Sequence, residues 1–282
     1  MDSNETIFYP QDEMGSLLIP VASGCPYNRC AFCSMYCGVP YHPIVQSAIE
    51  EQLCYGDHYT ERVFLTGADP LALGFEVMLR ILTLVRKHLP HCACVASYAS
   101  IRSIALYSEK ELAVLHDAGL RLLYIGFESG LDDILYEMNK GHTRLQAIEQ
   151  ARKLNRARLQ FCTILVYGIA GRGRGSENAS ASASLVNAFE TKKVITMNLR
   201  VFSGTELEKR VSGGMFVPAD RQERFEELIA LLEQLHPRRS VIFDTTHPTN
   251  IVKVKGELPA ERSRLIDEIK QNVALLRGGG IV

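Results

Sequence analysis

Short apolar runs alternate with amphipathic segments along the first 235 residues. Six runs have the length and composition of buried strands, and each stops at small or polar residues. They are Leu17 to Val21, Arg62 to Thr66, Cys92 to Tyr98, Leu120 to Phe127, Gln160 to Tyr167 and Val194 to Phe202. The segments between them repeat apolar residues at helical spacing. This alternation predicts an α/β fold with a parallel sheet, wound either as a barrel or as a doubly wound sheet.

Local signals refine the helix boundaries and the two ends of the chain. Ser108 with Glu111, and Thr143 with Gln146, are capping boxes that predict helix starts. Residues 1–13 read as a loose lead-in. After residue 235 we expect a strand at Val241 to Asp244, a loop over residues 247–256, and a helix from Pro259 that ends before residues 278–280. We therefore predict a core domain over residues 1–235 and a C-terminal extension over residues 236–282 that packs on it.

Composition and charge narrow the class of protein. The 282 residues are 46% hydrophobic and 22% charged, with a net charge of −1. No basic field is present that would attract nucleic acid or an anionic membrane. No run approaches the ~18 apolar residues that a membrane span requires, and the polar N-terminus does not resemble a signal peptide. Eight cysteines in a chain of this kind suggest a reducing compartment, so we expect a cytoplasmic protein.

A cysteine-rich loop follows the first predicted strand. Cys25, Cys30 and Cys33 fall within nine residues. Thiolates this close together can converge on one metal centre. Cys37 leaves a second interpretation open, because a fourth thiolate would close the site into an electron-transfer cluster or a zinc site. Further along, Cys92 and Cys94 alternate on the third strand, which favours two core thiols over a second metal site.

With these motifs in order, the sequence resembles the radical S-adenosylmethionine (radical SAM) superfamily. The likeness covers about residues 15–235 and is greatest to the branch that includes the oxygen-independent coproporphyrinogen oxidases. Members hold a [4Fe–4S] cluster through three cysteines, which leaves one iron open to the amino and carboxylate groups of SAM. The resemblance implies a partial (β/α)6 barrel with a short C-terminal extension, and it makes Cys25, Cys30 and Cys33 the cluster ligands. Their gaps of four and two residues depart from the commoner three and two.

The resemblance also implies which residues contact SAM. Gly67, Ala68 and Asp69 resemble the motif whose backbone meets the methionine amino group, although Ala68 replaces its second glycine. The other implied contacts are Phe32 and Gly168 near the adenine, Tyr98 facing the cofactor, Glu128 at the ribose hydroxyls and Lys140 at the methionine carboxylate.

Simpler interpretations remain open for several of these residues. Glu128 could start a surface loop, and Lys140 could be a cation at a helix C-terminus. Arg200 lies in the otherwise apolar sixth strand, so we expect it to point inward near cofactor or substrate, or to be paired. His247 either lines the open end of the barrel or is an exposed loop residue.

The expected function is that of a radical SAM enzyme. A reductant of the flavodoxin or ferredoxin type would reduce the cluster, and SAM cleavage would give a 5′-deoxyadenosyl radical. That radical would abstract hydrogen from a small-molecule or other unidentified substrate. The alternative is a non-catalytic iron–sulfur or zinc protein with Cys37 as the fourth ligand. Neither interpretation predicts nucleic acid or a membrane as a partner.

Overall fold

The computed structural model of the protein describes residues 7–278. Within this range the chain divides into two compact units. The first unit contains residues 7–28, 35–125 and 153–161, and the second contains residues 29–34, 126–152 and 162–278. The predictions for residues 1–6 and 279–282, at the start of the lead-in and the end of the extension, lie outside the described residues.

Strands and helices alternate along the described chain. The strands are β1 (Leu17–Pro20), β2 (Ala22–Ser23), β3 (His42–Pro43), β4 (Arg62–Thr66), β5 (Cys94–Ala99), β6 (Leu120–Glu128), β7 (Gln160–Tyr167), β8 (Lys193–Asn198), β9 (Val241–Asp244) and β10 (Lys255–Leu258). The α-helices are α1 (Gln46–Leu53), α2 (Phe75–His88), α3 (Ile101–Ala105), α4 (Glu109–Asp117), α5 (Asp132–Glu137), α6 (Arg144–Arg156), α7 (Gly175–Val186), α8 (Glu206–Ser212), α9 (Arg221–Gln234) and α10 (Arg262–Gly278).

In the first unit, parallel strands follow the order β1-β4-β5-β6. Leu65 of β4 pairs with Ile19 of β1 on one side and Ser97 of β5 on the other. Both faces of β4 are covered, since its residues from Val63 onward are buried. That burial explains why the strand reads as a continuous apolar run instead of an alternating one. The short ribbon β2–β3 is antiparallel and brackets the cysteine loop.

In the second unit, the strand order is β7-β8-β9-β10. β9 pairs parallel with β8, and β10 pairs antiparallel with β9. The strand predicted at Val241 to Asp244 is therefore confirmed. The prediction of a loop through residue 256 is wrong at its end, because β10 begins at Lys255. Its first three residues are exposed or half-buried and only Leu258 is buried, so β10 has no apolar run that would mark a strand.

The predicted fold class is confirmed. Parallel strands alternate with helices in both units, and the pairing is mostly parallel. Both capping boxes form as well. Ser108 and Glu111 bond reciprocally at the start of α4, and Thr143 and Gln146 do the same before α6.

Several element boundaries differ from the prediction. β5 begins at Cys94, not at Cys92, so the expectation that both cysteines alternate along this strand is wrong. β8 ends at Asn198, not at Phe202, because Asn198 pairs with Tyr167, the last residue of β7. The carbonyl oxygen of the next residue, Leu199, accepts a bond from the Arg224 side chain, 3.0 Å away. Arg200 consequently follows the strand and is exposed, so the expectation that it lies inside a strand and points inward is wrong. The last helix begins at Arg262, not at Pro259, because residues 259–262 form a turn.

Two further expectations concern the domains and the membrane. The predicted boundary at residue 235 falls between α9 and β9, and the separate extension stays a prediction. Among residues 7–278, no helix combines the length and apolarity that crossing a membrane requires.

A buried carboxylate fixes the amino ends of the central strands in the first unit. Glu13 is fully buried and receives the guanidinium of Arg62, whose Nε lies 2.7 Å from Oε2. The hydroxyls of Tyr124 and Ser16 also donate to it. Burial alone would raise the pKa of Glu13, but these hydrogen bonds and the Arg62 charge hold it below its usual value. The pair ties the segment before β1 to β4 and β6.

Replacing Arg62 with methionine tests this anchor. Arg62→Met leaves a buried carboxylate without its cation, so we expect the free energy of unfolding to fall by about 3 kcal/mol. Urea denaturation at neutral pH measures the loss. The matched control is Arg80→Met, which removes an exposed arginine from α2 and should change stability by no more than about 0.5 kcal/mol. Equal losses in the two variants would contradict the structural role of the pair.

Candidate active site

The predicted site residues divide between the two units. Cys25, Gly67, Ala68, Asp69 and Tyr98 belong to the first. The second contains Cys30, Phe32, Cys33, Glu128, Lys140, Gly168 and Arg200. Each group is described within its own unit below.

In the first unit, a glycine turn leads the chain from β2 to Cys25. Gly24 has a φ of +67°, and a Cβ atom there would lie 2.6 Å from the carbonyl oxygen of Pro40, so only glycine fits. The Sγ of Cys25 accepts the backbone N–H of Asn28 at 3.3 Å. The Asn28 side chain donates to the carbonyl oxygen of Tyr36 at 3.0 Å, which holds the two stems of the cysteine loop together.

The turn after β4 is anchored to the helix after β5. Gly67 has a φ of +129°, and a Cβ there would lie 3.0 Å from the carbonyl oxygen of Ala22. Two residues later, the buried carboxylate of Asp69 accepts the hydroxyls of Ser100 at 2.6 Å and Ser103 at 2.7 Å. Asp69 thus fixes the relation between two strand ends. Its contact with SAM, and those of Gly67 and Ala68, stay predictions.

Two tyrosines complete the site residues of the first unit. Tyr98 packs edge-on against Phe64, with ring centroids 5.3 Å apart, and burial raises the pKa of its hydroxyl, which stays neutral. Tyr41 was missed from the sequence. Burial raises its pKa, and the nearby Asp69 and Cys25 raise it further, which places Tyr41 beside two predicted site residues. Its position between Pro40 and His42 gave no signal that could have identified it.

In the second unit, the segment with Cys30 and Cys33 is held by backbone bonds. The N–H of Cys33 donates to the carbonyl oxygen of Cys30 at 3.2 Å, which forms a turn between the two thiols. Ala31 donates its N–H to Met138 and accepts the N–H of Leu207. Ala31 lies in an apolar cluster, and Phe32 packs against the same cluster. The backbone between the two thiols is therefore fixed from both sides.

A buried ion pair stands at the end of β6. The Nζ of Lys140 lies 2.8 Å from Oε1 of Glu128, and both side chains are mostly buried. Glu128 has a φ of +65°, a left-handed conformation that is uncommon for a glutamate. A Cβ atom at Gly126 would lie 2.2 Å from the Glu128 carboxylate and 3.1 Å from Nζ, so glycine at 126 makes room for the pair.

The same lysine faces the cysteine turn. Burial lowers the pKa of Lys140, but Glu128 and the thiols of Cys30 and Cys33 raise it well above its usual value. Lys140 is therefore an ammonium group that faces the thiols of Cys30 and Cys33. Lys140 also follows the end of α5, where its N–H donates to the carbonyl oxygen of Leu135 at 2.8 Å, so the interpretation of a cation at a helix C-terminus holds beside the pairing with Glu128.

His142 is a further buried residue near this pair that the sequence did not single out. Burial and the Lys140 charge lower its pKa to about 3, so the ring is neutral. One ring nitrogen bonds the backbone of Phe127, and within the described part of the chain Nε2 has no hydrogen-bond partner. In the sequence, the only feature that could have pointed to His142 is its position two residues after Lys140.

The turn after β7 is held by α9. Gly168 has a φ of +79°, and its N–H donates to Oε2 of Glu227 at 2.8 Å. The other oxygen of Glu227 accepts the side-chain amide of Asn178 at 2.6 Å, and Asn178 accepts the hydroxyl of Ser129 at 2.5 Å. Burial raises the pKa of Glu227 to about 7. This chain of bonds connects the residue after Glu128 to the Gly168 turn.

The end of β8 is organised by Arg224, not by Arg200. Nη1 of Arg224 donates to Oδ1 of Asn198 at 2.7 Å, whereas Arg200 is exposed. The role of Arg200 at the cofactor stays a prediction.

His247 is half-buried, and its Nδ1 lies 2.8 Å from the hydroxyl of Thr249, which accepts the N–H of Asn198. The His247 loop therefore lies at the end of β8.

The cysteines are all free thiols, and Cys37 is exposed. Over residues 7–278, the structure gathers no three or more His, Cys, Asp or Glu side chains into a group that could hold a metal ion. The ligand set of Cys25, Cys30 and Cys33 stays a prediction. Cys94, at the start of β5, accepts a bond from Arg62 at 3.1 Å.

Comparison with known proteins decides the family. The model of the radical SAM superfamily matches residues 19–176, more than half of the chain. The chain belongs to the radical SAM superfamily. The match spans the cysteine loop and the ends of β4, β5, β6 and β7, and it stops before β8. Because this superfamily of enzymes uses a [4Fe–4S] cluster and SAM, the predicted family and cofactors are confirmed at the level of the superfamily.

Individual relatives of this radical SAM chain agree with the predicted branch. The heme chaperone HemW of Lactococcus lactis is 22% identical over 158 residues, which cover 52% of this chain and 41% of HemW. The chain thus matches less than half the length of this curated relative. Coproporphyrinogen III oxidase (HemN) from Escherichia coli superposes with a TM-score of 0.57 at 16% identity, covering 78% of this chain and 52% of HemN. Methylornithine synthase (PylB) superposes with a TM-score of 0.57 at 18% identity, covering 79% of this chain and 63% of PylB. These solved structures share the fold.

Glu227→Gln tests the anchor of the Gly168 turn. Because the pKa of Glu227 rises from 4.5 to about 7, the folded chain keeps a proton that the unfolded chain has released between these values. Stability therefore falls as pH rises through this range, by about 3 kcal/mol in all, and the glutamine variant lacks this part of the dependence.

Urea unfolding at pH 5 and pH 8 measures the difference. Glu233→Gln, on an exposed position of the same helix, is the control and should follow the wild type. If the pH dependence of Glu227→Gln also followed the wild type, the raised pKa would be refuted.

Proposed function

We propose that the protein is a radical SAM enzyme in which Cys25, Cys30 and Cys33 hold the [4Fe–4S] cluster and SAM binds the open iron. The observation that carries the proposal is the buried Lys140 ammonium, which is paired with Glu128 and faces Cys30 and Cys33. A cluster held by three thiolates carries net negative charge, and a buried ammonium group beside two of its ligands would stabilise that charge.

The three thiols fit a [4Fe–4S] cluster chemically. Three thiols on one short loop are free of disulfides, and the N–H of Asn28 already donates to one sulfur. Cys37 is exposed, which favours three ligands over four. With three thiolates one iron stays open, and when reduced such a cluster supplies one-electron cleavage of SAM to a 5′-deoxyadenosyl radical that abstracts hydrogen from substrate.

The residues of the chain would bind and orient SAM. Lys140 would attract the methionine carboxylate, and the Glu128 carboxylate would accept the ribose hydroxyls, so that the ion pair positions both the methionine and the ribose of SAM. The backbone at Gly67 and Ala68 would meet the amino group. The other predicted contacts are Phe32 and Gly168 at the adenine, with Asp69, Tyr98 and Arg200 lining the cofactor site.

The partners follow from this chemistry. A one-electron donor of the flavodoxin or ferredoxin type would reduce the cluster, in the cytoplasm, where we expect the protein to reside. The substrate is proposed as a small molecule. A porphyrin is the second candidate for it, because the relatives include a heme chaperone and a coproporphyrinogen oxidase. Adding coproporphyrinogen or haem to the assay below tests this candidate, since a substrate should raise the rate of SAM cleavage.

Cysteine variants test the ligand set. The protein is reconstituted anaerobically with iron and sulfide, reduced with dithionite and mixed with SAM, and 5′-deoxyadenosine is measured by chromatography. We expect product from the wild type and a loss of at least about 100-fold for Cys25→Ala, Cys30→Ala and Cys33→Ala, because each removes a ligand.

Cys37→Ala is the matched control and should keep both cluster and activity. Loss of the cluster in this variant, with no product from the wild type, would favour the alternative of a closed four-ligand site without catalysis.

The ion pair has a test of its own. Lys140→Met removes the cation proposed to bind the SAM carboxylate, so we expect the Kd for SAM to rise about tenfold or more. Equilibrium binding to the reconstituted protein measures the change, and far-ultraviolet circular dichroism checks that the variant is folded. Lys110→Met, which replaces an exposed lysine, should leave the Kd unchanged. An unchanged Kd in folded Lys140→Met would remove Lys140 from the binding site.

A further inference from the structure

Two histidines meet at the opposite end of the first unit from Gly67 and Asp69. Nε2 of His58 lies 3.0 Å from Nε2 of His91, and both side chains are exposed. His58 precedes the start of β4 at Arg62, and His91 precedes the start of β5 at Cys94. The pair therefore lies at the amino ends of these parallel strands, whereas Gly67 and Asp69 follow the carboxyl end of β4.

Hydrogen bonds fix the loop that carries His58. Oδ1 of Asp57 accepts the N–H of Tyr59 at 2.8 Å, and the carbonyl oxygen of Asp57 accepts the N–H of Thr60 at 3.1 Å. These bonds close a turn around His58. The carbonyl oxygen of Glu61 then accepts the N–H groups of Ala93 and Cys94, which joins this loop to the segment after His91.

The turn that carries His91 is equally fixed. The N–H of Cys92 donates to the carbonyl oxygen of Leu89 at 3.0 Å, at the end of α2. The two imidazole rings stand nearly perpendicular, with centroids 4.5 Å apart and an interplanar angle of 82°. The ring of Tyr59 stacks near His91 at 6.3 Å and meets His58 edge-on at 5.6 Å. The two rings therefore meet through their Nε2 atoms, 3.0 Å apart.

Convergent imidazole nitrogens are ligands for divalent first-row metals. With metal–nitrogen bonds of about 2.05 Å, two nitrogens at right angles to each other are about 2.9 Å apart, and two at tetrahedral angles about 3.3 Å. The observed 3.0 Å is closer to the right-angled arrangement, which Ni²⁺ and Cu²⁺ prefer. Because both side chains are exposed, water can fill the other coordination positions.

We propose that His58 and His91 form a surface site for one divalent first-row metal ion, separate from the cluster site. The ion would cross-link the loop before β4 to the turn before β5. It would be a two-ligand protein site completed by water, in keeping with the lack of any cluster of three or more candidate ligands among residues 7–278. The competing interpretation is a plain N–H···N hydrogen bond between two neutral rings, which needs no metal.

Nickel titration of the cluster-loaded full-length protein tests the site. Isothermal titration calorimetry under anaerobic conditions compares the wild type with His58→Ala and His91→Ala. We expect each variant to bind one Ni²⁺ fewer per chain, or to bind that ion at least tenfold more weakly. Measuring a difference between variants removes the contribution of any nickel bound by thiols. His236→Ala, which removes another exposed histidine, is the control and should match the wild type.

Proton NMR gives a second readout that does not depend on enzyme activity. The chain has eight histidines, and substoichiometric Ni²⁺ should broaden the ring signals of His58 and His91 before the others. Identical nickel isotherms for the wild type and both variants, or uniform broadening of all histidine signals, would overturn the proposal and leave the pair as a hydrogen bond.

Discussion

The ammonium group of Lys140 is the buried charge on which the arrangement of Gly126 and Glu128 beside the cysteine turn depends. A buried cation is costly unless carboxylate or thiolate groups surround it, and Lys140 has Glu128 at 2.8 Å and two thiols facing it. This one requirement accounts for several local features. Gly126 lacks a side chain because a Cβ would collide with the pair, and Glu128 adopts a left-handed backbone conformation as it meets Lys140. The backbone of the cysteine turn is fixed by bonds to Met138 and Leu207.

The strand ends that carry the proposed SAM contacts are positioned by residues that need not touch a ligand. In the first unit, Asp69 spends both carboxylate oxygens on serines at the start of α3. In the second, Glu227 and Arg224 of α9 hold the turns after β7 and β8. Glycines at these turns permit close backbone approach, and buried carboxylates and a guanidinium fix where that backbone lies. In both units, therefore, a glycine lets the turn approach closely and a charged side chain fixes the position of that turn.

The sequence predicted the fold class, the capping boxes and the superfamily because each depends on local pattern. Apolar runs identify strands buried on both faces, and cysteine spacing identifies the loop. It did not predict Glu227, Asn178 or Tyr41, because their roles arise from contacts between residues far apart in the chain. For Arg200 the error is of the other kind, because a local pattern predicted a strand position that the structure does not have. Arg200 continued an apolar run, but the partner strand β7 ends opposite Asn198 and Arg224 bonds the carbonyl oxygen of Leu199. No local pattern in the sequence contains this information. The His58–His91 pair is likewise invisible in the sequence, where 32 residues separate the two rings.

The central claim is that one iron of a three-thiolate cluster is open to SAM. The most direct measurement is electron–nuclear double resonance on the reduced, reconstituted protein with SAM labelled with nitrogen-15 at its amino group. The account predicts a hyperfine coupling from the label in the wild type and an equal coupling in Cys37→Ala. A fully reduced cluster that shows no coupling to the label at saturating SAM would contradict it.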